Sequence, residues 1–135
     1  MSRRLARQVA FQTLFQIDLA QVDLETALRQ RLEDVELDEE NKAYVQTVVR
    51  GVMEQLTALD AQIAHVAKGW NVHRLGFVDR SILRLAIYEI VFMDEIPVRV
   101  AVNEAVELAK EFGDEESPKF VNGLLGTVVR EGGFA

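Results

Sequence analysis

The sequence predicts an all-α fold of about seven helices and no sheet. Apolar residues recur in steps of three and four through most of the 135 residues, and alternation at a period of two is not sustained anywhere. Helix start and stop signals punctuate the chain between these periodic stretches. No apolar run approaches the roughly 18 residues needed to cross a bilayer.

The first helix is expected from about Ser2 to Ala20, with Ala6, Val9, Ala10, Thr13 and Ile17 on one face. A short second helix fits Leu24 to about Leu32, ahead of the acidic stretch Glu33-Asp34-Val35-Glu36. Asp38 suits the N-cap of one long helix from Glu39 to about Lys68, where Glu39 and Glu40 complement the positive end. Its core stripe is Val45, Val48, Val52, Leu56, Leu59, Ile63 and Val66, and Gly51 within it suggests close approach by another helix. Gly69-Trp70-Asn71-Val72-His73-Arg74 reads as a connection with a helical turn around Arg74 and Leu75. Asp79 is expected to cap an apolar helix from Ser81 to about Met93, built on Ile82, Leu83, Ala86, Ile87 and Ile90. The next helix runs from about Val100 to Phe112 and stops at Gly113, read as a left-handed C′ residue. Ser117 as N-cap and Pro118 at the first helical position begin the last helix, which ends near Arg130. One domain over residues 1–135 is expected, with helical subdomains of about 1–70 and 71–135 sharing a core.

Composition narrows function. Cysteine is absent, which removes disulfides, thiolate metal sites and cysteine nucleophiles. The N-terminal basic residues are not followed by an unbroken apolar segment, so no secretory signal is read and a cytoplasmic protein is expected. Net charge is −7, but it is uneven: residues 1–20 carry +2, residues 21–60 carry −6, residues 61–100 carry +1 and residues 101–135 carry −4. Any contact with nucleic acid must therefore use a small local patch, with help from a companion.

Catalytic signals are poor. His65 and His73 lie eight apart, outside the usual pairing of metal ligands on a helix. Gly123-Leu124-Leu125-Gly126 falls on a helical pattern rather than in a phosphate loop, and no dinucleotide signature occurs. Glu104, Glu107 and Glu111, with Lys110 nearby, read more simply as a solvated face than as paired catalytic carboxylates. No enzyme, metal site or cofactor is expected.

Two segments are more informative. On a helical wheel Arg4, Arg7, Gln8, Phe11 and Phe15 cluster opposite the Ala6/Val9 face. Cations hold phosphates and aromatic rings stack on unpaired bases, so this face suits a single strand. From the wheel alone, the plainer reading is a helix buried on two sides with a solvated basic tip. In the turn before the last helix, Glu116, Ser117, Lys119, Phe120 and Asn122 gather polar and stacking groups around a helix start. Capping by Ser117 with Phe120 in the core explains that segment equally well.

Four stretches together resemble the NusB family of bacterial transcription antitermination factors. They are residues 3–16 (RRLARQVAFQTLFQ), 79–89 (DRSILRLAIYE), 96–113 (IPVRVAVNEAVELAKEFG) and 119–125 (KFVNGLL). The resemblance implies two small packed helical bundles and an adaptor for the single-stranded boxA element of nascent ribosomal RNA leaders. It implies a small-subunit ribosomal protein, NusE, as partner within an antitermination complex on RNA polymerase. By resemblance Arg3, Arg4, Arg7 and Phe15 fall in one RNA-contact region, and Glu116, Lys119 and Phe120 in a second. Asp79, Arg80, Arg84 and Tyr88 fall in the region that faces the ribosomal partner. Leu5 stands where some relatives carry a third arginine, and Phe15 where some carry tyrosine. Two rivals remain at this stage: a front module of the kind found on ribosomal-RNA cytosine methyltransferases, and a self-associating module without RNA. A chain of 135 residues has no room for a complete added methyltransferase domain, and no cofactor loop is present.

Overall fold

Side-chain caps set the first three helix starts. The computed structural model describes residues 2–67 and 72–134. Ser2 accepts from the Leu5 amide at 3.1 Å and opens α1 (Arg3–Ala20). Asp23 accepts from Thr26 to open α2 (Leu24–Asp34), and Asp38 accepts from Asn41 at 2.9 Å to open α3 (Glu39–Glu54). Each cap satisfies an amide that has no partner inside its helix.

The long helix expected from Glu39 to Lys68 is divided at Gln55 into α3 and α4 (Leu56–Val66). Helical bonding nearly continues across the joint, from the Gln55 amide to Gly51 and from the Leu59 amide to Gln55, both at 2.9 Å. That continuity explains why the apolar spacing never breaks. The joint turns the chain from α3, which packs on α1 and α5, to α4, which packs on α5 and α7. One turn of 3-10 helix follows at Val72–Arg74. The expected connection at Gly69-Trp70-Asn71, and the Lys68 helix end, lie outside the described residues.

Three further boundaries differ from expectation. Helix α5 (Phe77–Phe92) begins with Gly76, not Asp79, as its cap, and Asp79 lies in the first turn. Helix α6 (Val98–Phe112) starts directly after Pro97 and ends at Gly113. Gly113 is extended (φ −91°, ψ −174°), not left-handed. A Cβ there would press on the Ser117 side chain and the Ala109 carbonyl, so close approach is what asks for glycine. Helix α7 (Ser117–Gly132) takes Glu116, not Ser117, as its cap residue, and Asp114 in the turn before it accepts from the amides of Glu116 and Ser117 at 2.9 and 3.0 Å. The Ser117 hydroxyl closes the turn by accepting from the Asp114 amide at 3.0 Å.

Helix α5 packs against α1, α3, α4, α6 and α7 and carries the centre of the core. Ile82, Leu83, Leu85, Ala86 and Ile87 on it are almost entirely enclosed. Each large aliphatic side chain buried this way contributes about 1.5–3 kcal/mol of transfer free energy. No strand occurs among the described residues, and the buried apolar side chains form one cluster. Gly51 on α3 faces Tyr88 on α5, and a Cβ there would overlap the tyrosine ring and hydroxyl. Gly51→Ala should therefore destabilise by about 1–3 kcal/mol in urea denaturation, although alanine is the better helix former. Adding Tyr88→Leu should recover part of the loss.

Candidate nucleic-acid interface

The three N-terminal arginines emerge on α1 within little more than one turn, but their guanidinium groups go to different places. Arg7 turns inward. Its Nε donates to both Glu89 oxygens at 3.1 and 3.0 Å, and the Tyr44 hydroxyl donates to the same carboxylate. The Arg7 and Glu89 side chains are only 6% and 1% exposed, so this is a buried ion pair joining α1, α3 and α5. Burial pushes the Glu89 carboxyl above its ordinary range, against the opposing pull of Arg7 and Tyr44. Arg3 lies over the Tyr44 ring, 4.4 Å from its centroid, and donates to Asn41 Oδ1 at 2.8 Å. Arg4 is the outward cation. It forks onto Glu104 of α6, with Nε and Nη2 donating at 3.1 and 2.7 Å. The Arg4 hydrogen bond holds the Glu104 carboxyl below its ordinary range.

Further along α1, Phe11 is buried against Phe112, with centroids 5.1 Å apart, while Phe15 is half-buried beside it. Phe15, Gln12, Gln16, Leu19, Val78 and Phe112 are among the residues lining a groove of ≈ 430 Å³. Glu116, Lys119 and Phe120 line a different one of ≈ 610 Å³ between the start of α7 and Val66 and Ala67 at the end of α4. Lys119 and Glu116 are exposed there, and Phe120 is half-buried against the core. The two grooves share no lining residue.

The four residues assigned to partner docking divide sharply. Arg80 and Arg84 are buried: Arg80 pairs with Asp18 of α1 at 2.7 Å, and Arg84 forks onto Asp60 of α4 with two bonds of 2.8 Å. Both serve the joints between helices. Asp79 is half-buried, its Oδ1 has no partner, and burial raises its carboxyl above the ordinary range. Tyr88 reaches the surface in part and stacks on Phe92, which is 44% exposed, with centroids 5.1 Å apart.

Acids that the sequence reading did not place at a site complete these arrangements. Glu104, assigned there to a solvated face, is the counter-ion of Arg4, and Gln8 donates to Glu111 at 2.8 Å. Glu89 carried a visible signal, being an acid set between the apolar residues Ile87 and Ile90 of α5. Nothing in the spacing of Asp18 and Asp60 pointed to α5.

What the molecule defines is an all-α scaffold whose notable polar groups tie helices together or line open grooves, with no cluster of metal-ligating side chains among the described residues. Its relatives make the class specific. The NusB family model matches residues 4–130, and the chain belongs to that family. Transcription antitermination protein NusB of Desulforudis audaxviator is 47% identical over 131 residues, spanning 97% of this chain and 95% of that protein. The structure of T. maritima NusB superposes with a TM-score of 0.91 at 39% identity, covering 97% of this chain and 92% of that one. A chain in the crystal structure of antitermination factors NusB and NusE in complex with dsRNA gives 0.87 at 26% identity, with 96% of each chain covered.

The two arginines make opposite predictions. Arg7→Ala strands a buried carboxylate and should cost about 3–5 kcal/mol of stability. Without Arg7, burial dominates and lifts the folded-state pKa of Glu89 further above its unfolded value. The penalty should therefore be smaller near about pH 5 and grow as pH rises through the lifted value. Arg4→Ala should leave the unfolding midpoint unchanged. Urea titrations of both variants at two pH values test this directly.

Proposed function

We propose that this chain is a non-catalytic transcription antitermination adaptor that binds boxA-type single-stranded RNA of nascent ribosomal RNA leaders together with NusE. The single observation that carries this reading is membership of the NusB family across residues 4–130. Likeness to a chain in the complex of NusB and NusE with dsRNA supports NusE and RNA as partners. The adaptor works in the cytoplasm within the RNA polymerase antitermination complex, a location that follows from the transcription role of the family. One domain over 1–135 with halves of about 1–70 and 71–135 is part of the proposal, supported by the single buried cluster that both halves share.

Within this reading Arg3, Arg4 and Phe15 serve one end of the RNA contact, and Glu116, Lys119 and Phe120 the other. Arg7 acts from inside, by holding α1 in place. On the partner side Tyr88 and Phe92 offer an aromatic anchor, while Arg80 and Arg84 hold α5 and Asp79 lies near its start. The exposed acids are unfavourable for RNA, and a basic ribosomal protein offsets them by neutralising phosphate.

Gel-shift titration with a boxA-like RNA, with and without NusE, tests the adaptor. Affinity should rise sharply when NusE is present. Lys119→Ala should weaken binding and flatten the log–log salt slope by about 0.7, the value for one single-strand phosphate contact. RNA binding indifferent to both changes would count against the reading. For the partner face, Phe92→Ser should weaken NusE binding by more than about 1 kcal/mol in calorimetry without unfolding the domain. Wild-type affinity would move the docking face elsewhere.

A further inference from the structure

We infer that Glu104 is the competitor that RNA phosphate displaces from Arg4, so that this carboxylate sets the affinity and salt response at the N-terminal end of the interface. The inference rests on the RNA-binding reading above and concerns how that site is held before RNA arrives.

The basic tip that marks the sequence is electrically matched in the folded chain. Arg7 faces Glu89, Arg3 has Glu40 at 3.9 Å and Asn41, and Arg4 is forked onto Glu104. The three differ in what would be left behind if phosphate took the cation. Moving Arg7 would abandon a carboxylate that is 1% exposed. Moving Arg3 would uncover Tyr44, over which it lies. Arg4 has a side chain that is 61% exposed, and its partner has a second cation: Arg7 Nη1 lies 3.8 Å from Glu104 Oε1. Glu104 therefore keeps a counter-charge when Arg4 swings outward. Arg4 is the transferable member of the cluster.

The surroundings make that transfer nearly even. The cleft between α1 and α6 is lined by Arg4, Arg7, Gln8, Glu104, Glu107, Leu108, Lys110 and Glu111, with formal charges of three cations and three acids. Glu107 accepts from Lys110 at 3.2 Å and Glu111 from Gln8 at 2.8 Å, so these acids are already engaged. The pair is open to solvent on the arginine side only, Glu104 being 14% exposed, so Arg4 can leave while the carboxylate stays in the cleft, and a phosphate presents the same fork with more charge. Phosphate can therefore win Arg4, but against a carboxylate that holds the arginine in the free protein. Removing the charge of Glu104 should leave the cleft net positive and release the arginine.

The test is fluorescence anisotropy with a boxA-like RNA and NusE, using full-length wild type, Glu104→Gln, Arg4→Ala, Lys119→Ala and the Arg4/Glu104 double variant. Glutamine keeps the shape of the side chain, and thermal melts confirm folding. Glu104→Gln should bind about threefold tighter at low salt, the Coulomb effect of one unit charge at roughly 6 Å in water. The gain should vanish near 1 M salt, where screening acts over about 3 Å. It should also shrink when Arg4 is alanine, since the released cation is then missing. Equal or weaker binding by a folded Glu104→Gln variant overturns the inference, as does a gain that persists undiminished without Arg4. Wild-type binding by Arg4→Ala, with Lys119→Ala weakened, overturns it too. Absence of RNA binding by the wild type with NusE overturns the adaptor reading instead.

Discussion

A carboxylate enclosed in the last turn of an apolar helix must be matched by charge and hydrogen bonds, and the matching of Glu89 governs how the first half of the chain sits on α5. Arg7 arrives from α1 and Tyr44 from α3, so three helices meet at one side chain. Such a pair adds little net stability compared with a well-packed apolar replacement, because desolvation consumes most of the attraction. Its effect is on orientation. With Arg7 fixed inward, the 100° helical step sends Arg3 towards α3 and carries Arg4 and Gln8 to the edge facing α6. The exposure of the candidate RNA contacts is thus decided by a residue whose own guanidinium is held in the core.

The other end of α1 is secured in the same way. Asp18 meets Arg80, while Arg84 reaches both Asp18 and Asp60 of α4. Residue 7 therefore lies beside residue 89, and residue 18 beside residue 80, which makes α1 and α5 antiparallel. The paired positions are separated by about 16 Å along α1 and about 14 Å along α5 at the normal helical rise. Two buried ionic ties of similar spacing fix both the rotation and the sliding of α1 on α5. Apolar contacts such as those of Val9, Ala10 and Ile82 tolerate slippage far better.

The legible parts of the sequence were those encoded locally. Asp38 before Glu39 announced a helix start, and Gly51 among good helix formers announced a close approach, met here by Tyr88. Gln55 announced nothing, because the joint between α3 and α4 keeps helical hydrogen bonds and apolar spacing while changing direction. Gly113 was the right residue for a tight place, but crowding by Ser117 rather than positive φ explains it. The candidate site was legible as residue types and not as geometry. Arg4 and Arg7 share a face on the helical wheel, yet one reaches solvent and the other Glu89, 82 positions away. Arg80, Arg84 and Tyr88 share a helical spacing, but the acids that bury the two arginines lie on other helices.

Counting arginines consequently misstates how basic this surface is. Arg7, Arg80 and Arg84 are committed to buried or half-buried acids, and none of the three can leave without stranding one. Among the candidate RNA contacts, the cations most free to change partner are Arg4, with Arg7 standing behind Glu104, and exposed Lys119. These two cations, on a chain of net charge −7, give little long-range attraction for a polyanion. Affinity must then come from short-range fit, with Phe15 and Phe120 beside their grooves, and from positive charge brought by a second protein. On the proposed reading, a surface neutralised in this way attracts RNA weakly at long range, and selectivity follows from the cations it keeps engaged as much as from those it presents.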